Sequence, residues 1–333
     1  MKAVVTGGAG FIGSHLCDYL VTGGHEVTVL DDLSTGSREN LRHLDGAIRF
    51  VHGSILDQSL VRECIRGHDT VFHLAAAVGV HTIVDHPLQS LRTNLTGTEN
   101  VVEAAVRHGA RFAIASTSEV YGKNDADGLR EDADRILGSP LKSRWSYAAA
   151  KGLDELVAYV HAHESGLPCV ILRFFNIVGP RQTGRYGMVV PRFVSQACAG
   201  APITVYGEGT QRRCFGSVFD VVPAVVALLD TPAAHLRAVN LGGAEEISIK
   251  GLADRVRGIT QSASEVRFVS YTEAYSPGYE DMQRRMPDIS LAQDLVGFTP
   301  KHDLDRIIAS LLDSPGRVHG TSPPPGWVRS VTV

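Results

Sequence analysis

Short apolar runs alternate with longer stretches of helical spacing through the first half of the chain. Residues 3–5 form a β-branched run, and apolar residues then recur at helical spacing from Phe11 to about Val21. Further runs that we interpret as strands lie at residues 26–30, 48–52, 70–74, 112–115 and 169–173. Strands that alternate with helices in this way predict an α/β fold built on a doubly wound parallel sheet. Ligands of such a sheet bind at the carboxyl ends of its strands.

A glycine-rich turn of sequence Gly-Gly-Ala-Gly-Phe-Ile-Gly joins the first predicted strand to the first predicted helix, from Gly7 to Gly13. Glycine permits a tight turn and close approach of the backbone to a pyrophosphate, and the helix N-terminus presents free N–H groups to the phosphates. Strand, glycine turn and helix in this order predict a Rossmann-type dinucleotide site. The glycine spacing alone is a weak signal, so the interpretation also depends on an acid further along the chain.

That acid is Asp31, which ends the second predicted strand about twenty residues past the glycines. A carboxylate at this place accepts hydrogen bonds from the adenosine ribose hydroxyls and repels a 2′-phosphate, which favours NAD over NADP. Asp32 adjoins it, and the polar loop Ser34-Thr35-Gly36 suits the same ribose and phosphates.

A tyrosine and a lysine, Tyr147 and Lys151, stand four residues apart on a predicted helix, which places both side chains on one face. A free tyrosine has a pKa of about 10 and is a poor base at neutral pH. A nearby ammonium, joined by the positive nicotinamide ring, favours the phenolate and predicts a lowered pKa for Tyr147. The spacing is common by chance, but hydroxyls of Ser116-Thr117-Ser118 at a strand end can reach the same substrate oxygen.

These features together resemble the extended short-chain dehydrogenase/reductase superfamily, and within it the NAD-dependent epimerase/dehydratase branch that acts on nucleotide sugars. The motifs are the glycine turn, Asp31, Thr117, Tyr147-Ala-Ala-Ala-Lys151 and Arg173-Phe-Phe-Asn-Ile-Val-Gly-Pro-Arg181, and the match runs from residue 1 to about residue 312. The resemblance implies a tightly held NAD that is reduced and reoxidised in each turnover. It also implies a UDP-sugar substrate and a homodimer made through helices around residues 91–108 and 147–164.

The resemblance further implies roles for individual residues. Tyr147 is the base for the sugar 4-hydroxyl, Lys151 lowers its pKa and holds the nicotinamide ribose, and Thr117 hydrogen-bonds O4. The residues expected around the cofactor are Gly7, Gly10, Phe11, Ile12, Gly13, Asp31, Asp32, Ser34, Thr35, Gly36, Ser54, Ile55, Leu74, Ala75, Ala76, Asn94, Tyr147, Lys151 and Phe174. Those expected around the substrate are Thr117, Ser118, Glu119, Asn176, Val189, Arg192, Tyr206, Arg213 and Arg285. Asn176, Arg213 and Arg285 match positions that grip the diphosphate and its nucleoside. No metal is expected.

The fate of the 4-keto intermediate distinguishes the reactions of this branch. A dTDP-glucose 4,6-dehydratase generally carries an Asp-Glu pair where this chain reads Ser118-Glu119, so dehydration is disfavoured. UDP-glucuronate decarboxylases resemble this chain in Thr117-Ser118-Glu119 and in an arginine at Arg285, which favours loss of CO₂ from a β-keto acid.

Arg192 favours a different outcome. UDP-glucuronate 4-epimerases resemble this chain in having arginine there, whereas the decarboxylases have a neutral residue and favour a cysteine-proline turn where this chain reads Ala75-Ala-Ala-Val-Gly79. We hypothesise that Arg192 pairs with the C6 carboxylate and resists loss of CO₂, with a phosphate contact as the alternative. The sequence therefore predicts an isomerase, a UDP-sugar 4-epimerase that acts on UDP-glucuronate in preference to UDP-glucose.

Composition indicates a soluble, cytoplasmic protein. The net charge of −4 gives no reason to expect nucleic acid or an anionic membrane as a partner, and no stretch of sequence is long and apolar enough to span a bilayer. Five scattered cysteines argue for reduced thiols rather than a disulfide framework or a zinc site. An NAD-binding regulatory protein is the alternative from another class, although such proteins often lack the Tyr-x-x-x-Lys pair.

The pattern changes from about residue 182 to short elements with spaced arginines. We expect an NAD-binding domain over residues 1–175, with returning segments from the C-terminal half. A smaller α/β region over residues 176–313 would then bind the nucleotide sugar, and residues 314–333 would form a flexible tail.

Overall fold

The computed structural model describes residues 1–78, 87–142, 145–184, 188–274 and 282–312; the tail expected over residues 314–333 lies outside the described residues. The described strands are β1 (Lys2–Thr6), β2 (Glu26–Asp31), β3 (Ile48–His52), β4 (Thr70–His73), β5 (Arg111–Thr117), β6 (Cys169–Phe175), β7 (Ile177–Val178), β8 (Ile203–Tyr206), β9 (Arg212–Cys214), β10 (Gly216–Ser217), β11 (Arg237–Gly242), β12 (Glu246–Ser248), β13 (Val266–Val269) and β14 (Arg284–Arg285). The described helices are α1 (Phe11–Thr22), α2 (Gln58–Ile65), α3 (Pro87–His108), α4 (Ser146–Ser165), α5 (Val189–Cys198), α6 (Val218–Asp230), α7 (Ile249–Ile259), α8 (Tyr271–Ala274), α9 (Ser290–Val296) and α10 (Leu304–Leu312).

Seven strands form one parallel sheet in the order β11-β6-β5-β4-β1-β2-β3. The chain moves outward from β1 to β3, returns to the centre as β4 and then proceeds in the opposite direction. The boundary between β1 and β4 is therefore the point where the strand order reverses, and such a point opens a crevice for ligands. The predicted fold class, an α/β fold with a doubly wound Rossmann-type sheet, is confirmed.

Two apolar layers cover the faces of this sheet. Leu20 of α1 and Val221 of α6 are fully buried on one face, while Val61 of α2, Val101 of α3 and Ala158 of α4 are buried on the other. Strands buried on both faces consist of near-continuous apolar residues, which is why β1, β4 and β6 appear in the sequence as short apolar runs. Each such Val or Leu side chain contributes about 1.5–3 kcal/mol on burial.

A third apolar core lies in the C-terminal half. It joins Phe193 of α5, Ile203 of β8, Leu252 of α7 and Ile307 of α10. Two small sheets of order β12-β9-β14 and β13-β8 accompany this core. None of the helices within the described ranges has the combination of length and apolar composition that a membrane span requires.

The glycine turn after β1 is packed too closely for side chains. Gly7 has a φ of 70°, and a Cβ on it would lie 2.6 Å from the Ala75 nitrogen. A Cβ on Gly13 would lie 2.2 Å from the Gly7 carbonyl oxygen. Because both neighbours are backbone atoms, neither can move aside cheaply, and α1 therefore begins directly against β1 and the loop after β4.

We expect Gly13→Ala to lower the free energy of unfolding by about 2 kcal/mol, because the added methyl overpacks this turn. Gly258→Ala is the matched control: a Cβ on Gly258, near the end of α7, meets no atom within 4 Å. Alanine there should be neutral or stabilising by up to about 1 kcal/mol. Denaturant unfolding of both variants measures the difference, and equal stability of the two would contradict the packing described.

Candidate active site

A pocket of about 700 Å³ lies along the carboxyl ends of the central strands. Its lining begins at the glycine turn, passes the ends of β2, β4, β5 and β6, and continues to α5, β8 and β9. The pocket therefore joins the point where the strand order reverses to the C-terminal core. Its size and shape suit a long ligand or two ligands end to end.

Asp31 is fixed at the end of β2 by two backbone amides. Its Oδ2 accepts a hydrogen bond from the Ala9 N–H at 2.9 Å, and its Oδ1 accepts one from the Leu33 N–H at 2.8 Å. Burial raises the pKa of the Asp31 carboxyl, and these two hydrogen bonds oppose that shift. A carboxylate oriented in this way keeps further lone pairs for ribose hydroxyls, as the sequence predicts.

The residues around the glycine turn fit a dinucleotide. Backbone approaches the pocket closely at Gly7 and Gly10, and Phe11 begins a helix whose N-terminus faces the pocket. Of the predicted cofactor residues, those that line the pocket are Gly7, Gly10, Phe11, Ile12, Gly13, Asp31, Asp32, Ser34, Thr35, Ile55, Leu74, Ala75, Ala76, Tyr147, Lys151 and Phe174.

Three predicted cofactor residues lie behind the lining instead. Gly36 packs under the glycine turn, where a Cβ would lie 2.8 Å from the Ala9 carbonyl. The Ser54 hydroxyl accepts a hydrogen bond from the Leu56 N–H at 3.3 Å. Asn94 is buried, and its Oδ1 accepts a hydrogen bond from the Ala77 N–H at 2.8 Å. None of the three is among the lining residues: Gly36 packs against the Ala9 backbone, and the side chains of Ser54 and Asn94 bond to neighbouring backbone.

Thr117, Tyr147 and Lys151 line the pocket together, as predicted from the motifs. Thr117 ends β5, and its Oγ1 accepts a hydrogen bond from the Glu119 N–H at 3.2 Å. Tyr147 and Lys151 come from the first turns of α4. The extension of β5 to Thr117 carries this hydroxyl to the edge of the sheet, next to the helix that bears the other two residues.

The protein's own groups shift the Tyr147 pKa upward, whereas the lowering predicted from the sequence also includes the positive nicotinamide ring. Burial raises that pKa above its ordinary value, and the negative charges of Glu119 and Asp154 raise it further. The Lys151 ammonium does not act as a lone positive charge, because its Nζ lies 2.9 Å from Asp154 Oδ2. Asp154 was not visible as a partner in the Tyr-x-x-x-Lys motif.

Ser118 and Glu119 meet an arginine from the far end of the sequence. Arg285 Nη2 lies 2.7 Å from Glu119 Oε1, and Arg285 Nη1 donates to Ser118 Oγ at 3.2 Å. All three residues line the pocket. Arg285 was predicted to grip a diphosphate, but its guanidinium lies beside the turn that follows Thr117 because β14 pairs with β9 and directs it there.

The remaining predicted substrate residues form the other end of the lining. Asn176 has a φ of 44°, and its Nδ2 donates to the Cys214 carbonyl at 2.9 Å. Arg213 lies in register with Arg285 on the adjacent strand and is buried. Val189 and Tyr206 also line the pocket.

Arg192 contacts the C-terminal wall of the pocket. Its Nη2 donates to the Thr204 carbonyl at 3.1 Å, and its guanidinium carbon lies 4.0 Å from the centroid of the Tyr206 ring. This is a cation–π arrangement. Arg192 therefore contacts β8, and its guanidinium carbon also lies 5.4 Å from the centroid of the Phe193 ring. Glu119 instead contacts Arg285 at the end of β5.

Several lining residues were missed by sequence reasoning. Gln89, Ser90 and Thr93 come from the first turns of α3, and Gln211 and Tyr271 lie near Tyr206. Gln89 and Thr93 share a helix face by their spacing, which is a weak signal. Gln211 Nε2 donates to the Tyr271 hydroxyl at 2.8 Å, a contact across sixty residues that leaves no local pattern.

A Rossmann-type sheet, a glycine cradle and a Tyr-Lys pair beside one pocket define an NAD-dependent enzyme of the short-chain dehydrogenase/reductase class. The chain belongs to the NAD dependent epimerase/dehydratase family, whose model matches residues 3–242.

Two relatives by sequence are decarboxylases. The chain is 40% identical over 300 residues to the UDP-N-acetyl-alpha-D-glucosaminuronate decarboxylase of Bacillus cytotoxicus, with 90% of this chain and 92% of that protein covered. It is 36% identical over 299 residues to UDP-glucuronic acid decarboxylase 1 of Xenopus tropicalis, with 90% and 68% covered.

A solved structure with the same fold contains the cofactor. It is a variant of the UDP-glucuronic acid 4-epimerase of Bacillus cereus in complex with UDP-4-deoxy-4-fluoro-glucuronic acid and NAD. Its TM-score is 0.85 at 27% sequence identity, and the match covers 96% of this chain and all of that one (100%). NAD is the cofactor of this family fold, as predicted.

The prediction of an isomerase is wrong. The two decarboxylases, at 40% and 36% identity, outweigh the epimerase structure at 27%. That prediction depended on Arg192 as a partner of the sugar carboxylate; in the structure this guanidinium contacts a carbonyl and a tyrosine ring of β8.

Two buried histidines give the fold a marked pH dependence. Burial, with a smaller effect of the Lys151 charge, lowers the pKa of His73 to about 3, and burial with the charge of Arg181 lowers that of His15 to about 3. His73, at the end of β4, is hydrogen-bonded to Thr6 Oγ1 at 2.8 Å and to Thr98 Oγ1 at 3.1 Å. Both histidines are therefore neutral in the folded protein at neutral pH.

We expect the free energy of unfolding to fall as pH drops below 6.5, the ordinary histidine value. Only the unfolded chain binds these protons until pH approaches 3, so each histidine contributes about 1.4 kcal/mol per pH unit. His73→Gln should reduce this slope by about 1.4 kcal/mol per pH unit, which is the contribution of one proton. Urea unfolding between about pH 6 and pH 4 measures the slope. An unchanged slope would show that His73 does not titrate as described.

Proposed function

We propose that this protein is an NAD-dependent decarboxylase of a UDP-hexuronic acid, of the glucuronate or N-acetylglucosaminuronate type. The observation that carries the proposal is the contact of Arg285 with Glu119 and Ser118, beside Thr117 and Tyr147 in one pocket. Two decarboxylases among the relatives support the same reaction. The 2-substituent of the sugar distinguishes their two substrates.

Tyr147 and Thr117 bind the sugar 4-hydroxyl. Tyr147 accepts the hydroxyl proton as the sugar is oxidised at C4, and Thr117 donates a hydrogen bond to O4. Held by the glycine turn and Asp31, NAD would supply the hydride acceptor for oxidation at C4 and the hydride donor for the later reduction. Oxidation at C4 converts the uronate to a β-keto acid, whose carboxylate leaves as CO₂ once its bond stands out of the ring plane. The electron pair then rests on O4, where Tyr147 and Thr117 donate hydrogen bonds.

Arg285 binds the sugar carboxylate. Arg285 is 6% exposed, so a carboxylate that meets it forms a bond with little competition from water. Its partner Glu119 balances its charge, which prevents a tight bidentate grip that would stabilise the bound carboxylate over the departing CO₂. Decarboxylation consumes one proton, which C5 takes up where the carboxylate leaves.

The opposite end of the pocket suits the nucleoside. Arg192 over the Tyr206 ring, together with Gln211 and Tyr271, presents flat surfaces and amide groups to a base. Asn176 and Arg213 line the same pocket and provide donors for the diphosphate. Arg192 is thus proposed as a nucleoside contact.

We expect Arg285→Ala to lower the rate of CO₂ release from a UDP-hexuronic acid by about 100-fold or more, because the carboxylate is no longer held with its bond out of the ring plane. Arg284→Ala is the matched control: the adjacent side chain points to Glu246 and Asp127, outside the pocket. It should change the rate by less than about 3-fold. Rates are measured as released CO₂ with UDP-glucuronate and with UDP-N-acetylglucosaminuronate.

In the same experiment, absorbance of the reduced cofactor distinguishes hydride transfer from the release of CO₂. Arg285→Ala should still show hydride transfer, because Tyr147 and Thr117 are unchanged. Equal losses in the Arg284 and Arg285 variants, or a loss of hydride transfer alone, would contradict the role given to Arg285.

We also propose that the protein forms a homodimer through α3 and α4. These helices carry apolar side chains that a single chain leaves exposed: Leu88, Leu153, Leu156, Tyr159 and Val160. Leu88 is 62% and Leu156 55% exposed, and such a patch on adjacent helices is suited to a second copy of the same helix pair.

Leu156→Glu should convert the dimer to a monomer, because it places a charge in the centre of this apolar patch. Leu141→Glu is the control, since Leu141 is 94% exposed and lies in a turn outside both helices. Sedimentation velocity measures the mass of each variant. A monomeric wild type, or a dimer that survives Leu156→Glu, would refute the interface.

A further inference from the structure

Arg181 ends the motif that begins at Arg173, and the function proposed above gives it no role. Its φ of 66° lies in the left-handed region, which residues other than glycine rarely adopt. Arg181 lines the pocket and is half-buried as a whole, yet its side chain is only 2% exposed. The residue therefore meets the pocket mainly through its backbone, while its guanidinium is turned into the protein.

The guanidinium meets a buried carboxylate of the helix that begins at the glycine turn. Arg181 Nη2 lies 2.8 Å from Oδ2 of Asp18 in α1, and the Asp18 side chain is 3% exposed. The contact is an ion pair without hydrogen-bond geometry, and none of the three guanidinium nitrogens of Arg181 bonds to another residue that the structure describes. A buried charge left without a partner is costly, so the position of Arg181 depends on Asp18.

Neighbouring contacts fix the same part of the chain. His15 of α1 donates from Nε2 to the Pro180 carbonyl at 3.0 Å, and its ring packs edge-on against Phe11. A Cβ on Gly179 would lie 2.5 Å from Val218 Cγ1 and 3.4 Å from the Phe11 ring. Residues 179–181 are therefore held against α1 and α6, with the buried ion pair at their end.

Asp18 has a second partner, which keeps its place independent of Arg181. His43 Nε2 lies 2.5 Å from Asp18 Oδ1, at the end of the 3₁₀ helix Arg38–Leu44. The same 3₁₀ helix is bound to the glycine turn, because Asn40 Nδ2 donates to the Ala9 carbonyl at 2.8 Å. Replacement of Arg181 would thus leave Asp18 paired and the cofactor end of the pocket intact.

The loop that Arg181 anchors reaches the part of the pocket that we assign to the nucleotide. Gln182 and Thr183 line the pocket. A Cβ on Gly184 would lie 3.1 Å from the Arg192 nitrogen, so this end of the loop packs against α5. The loop therefore connects Asn176, assigned above to the diphosphate, with the helix that carries Arg192, assigned to the nucleoside.

We propose that Arg181 is a positioning residue, which fastens residues 179–184 to α1 through Asp18 and thereby fixes the nucleotide part of the substrate site. It acts through the backbone that it anchors and touches no substrate itself. The inference deepens the proposed function and rests on it for the identity of the nucleotide. The contacts of Asp31 and of the glycine turn do not involve this ion pair, so binding of NAD should not depend on it.

The test measures binding of UDP to the purified protein with its NAD, by isothermal titration calorimetry. Arg181→Met should weaken UDP binding by about 10-fold or more, because the loop loses its charged anchor. The NAD content of the variant should equal that of the wild type, which a general loss of structure would lower. Arg111→Met is the control: Arg111 pairs with Asp230 at the amino end of β5, and its loss should weaken UDP binding by less than about 2-fold.

A double variant keeps the test decisive if Arg181→Met does not fold. Asp18→Asn with Arg181→Met removes both buried charges, and it should bind UDP as weakly as Arg181→Met alone, because the two residues act as one unit. Wild-type affinity for UDP in either variant, or a parallel loss of NAD in both, would overturn the inference. A wild-type protein that binds no UDP would instead refute the proposed function, so the two failures are distinguishable.

Discussion

The buried pair of Arg173 and Glu155 is the interaction on which the site depends. Arg173 of β6 donates from Nε and Nη2 to the two Glu155 oxygens at 2.9 and 2.8 Å, and Ser116 of β5 donates to the same carboxylate at 2.5 Å. Arg173 also donates to the Tyr121 hydroxyl at 2.9 Å. The pair therefore joins α4, β5, β6 and the turn after Thr117. Loss of one partner of such a pair costs about 3–5 kcal/mol.

This pair connects the elements that carry the proposed catalytic residues. Glu155 follows Asp154 on α4, and Ser116 precedes Thr117 on β5, so the same network fixes both the Tyr147 helix and the Thr117 turn. Glu131 and Asn240 extend it towards the segment that follows Arg285, since the Asn240 Nδ2 donates to the Asp288 carbonyl at 3.2 Å.

The fold and the centre of the site could be predicted because their signals are local. The glycine turn, Asp31 and the Tyr147–Lys151 spacing each lie within one strand–helix unit. The contact of Arg285 with Glu119 spans 166 residues and depends on the pairing of β14 with β9, which no local pattern shows. Asp154 stands three residues from Lys151, but the burial of their ion pair depends on tertiary packing and is not visible in the sequence. The contacts of Arg192 were not predictable for the same reason, because its partners on β8 are set by tertiary packing.

The measurement that tests decarboxylation most directly is carbon-13 NMR of the products from UDP-hexuronic acids labelled at C6. If the protein is a decarboxylase, the label appears as bicarbonate and the nucleotide is recovered as an unlabelled UDP-pentose or its 2-acetamido equivalent. Label that stays in the sugar of both UDP-glucuronate and UDP-N-acetylglucosaminuronate, with or without inversion at C4, would contradict the proposed function.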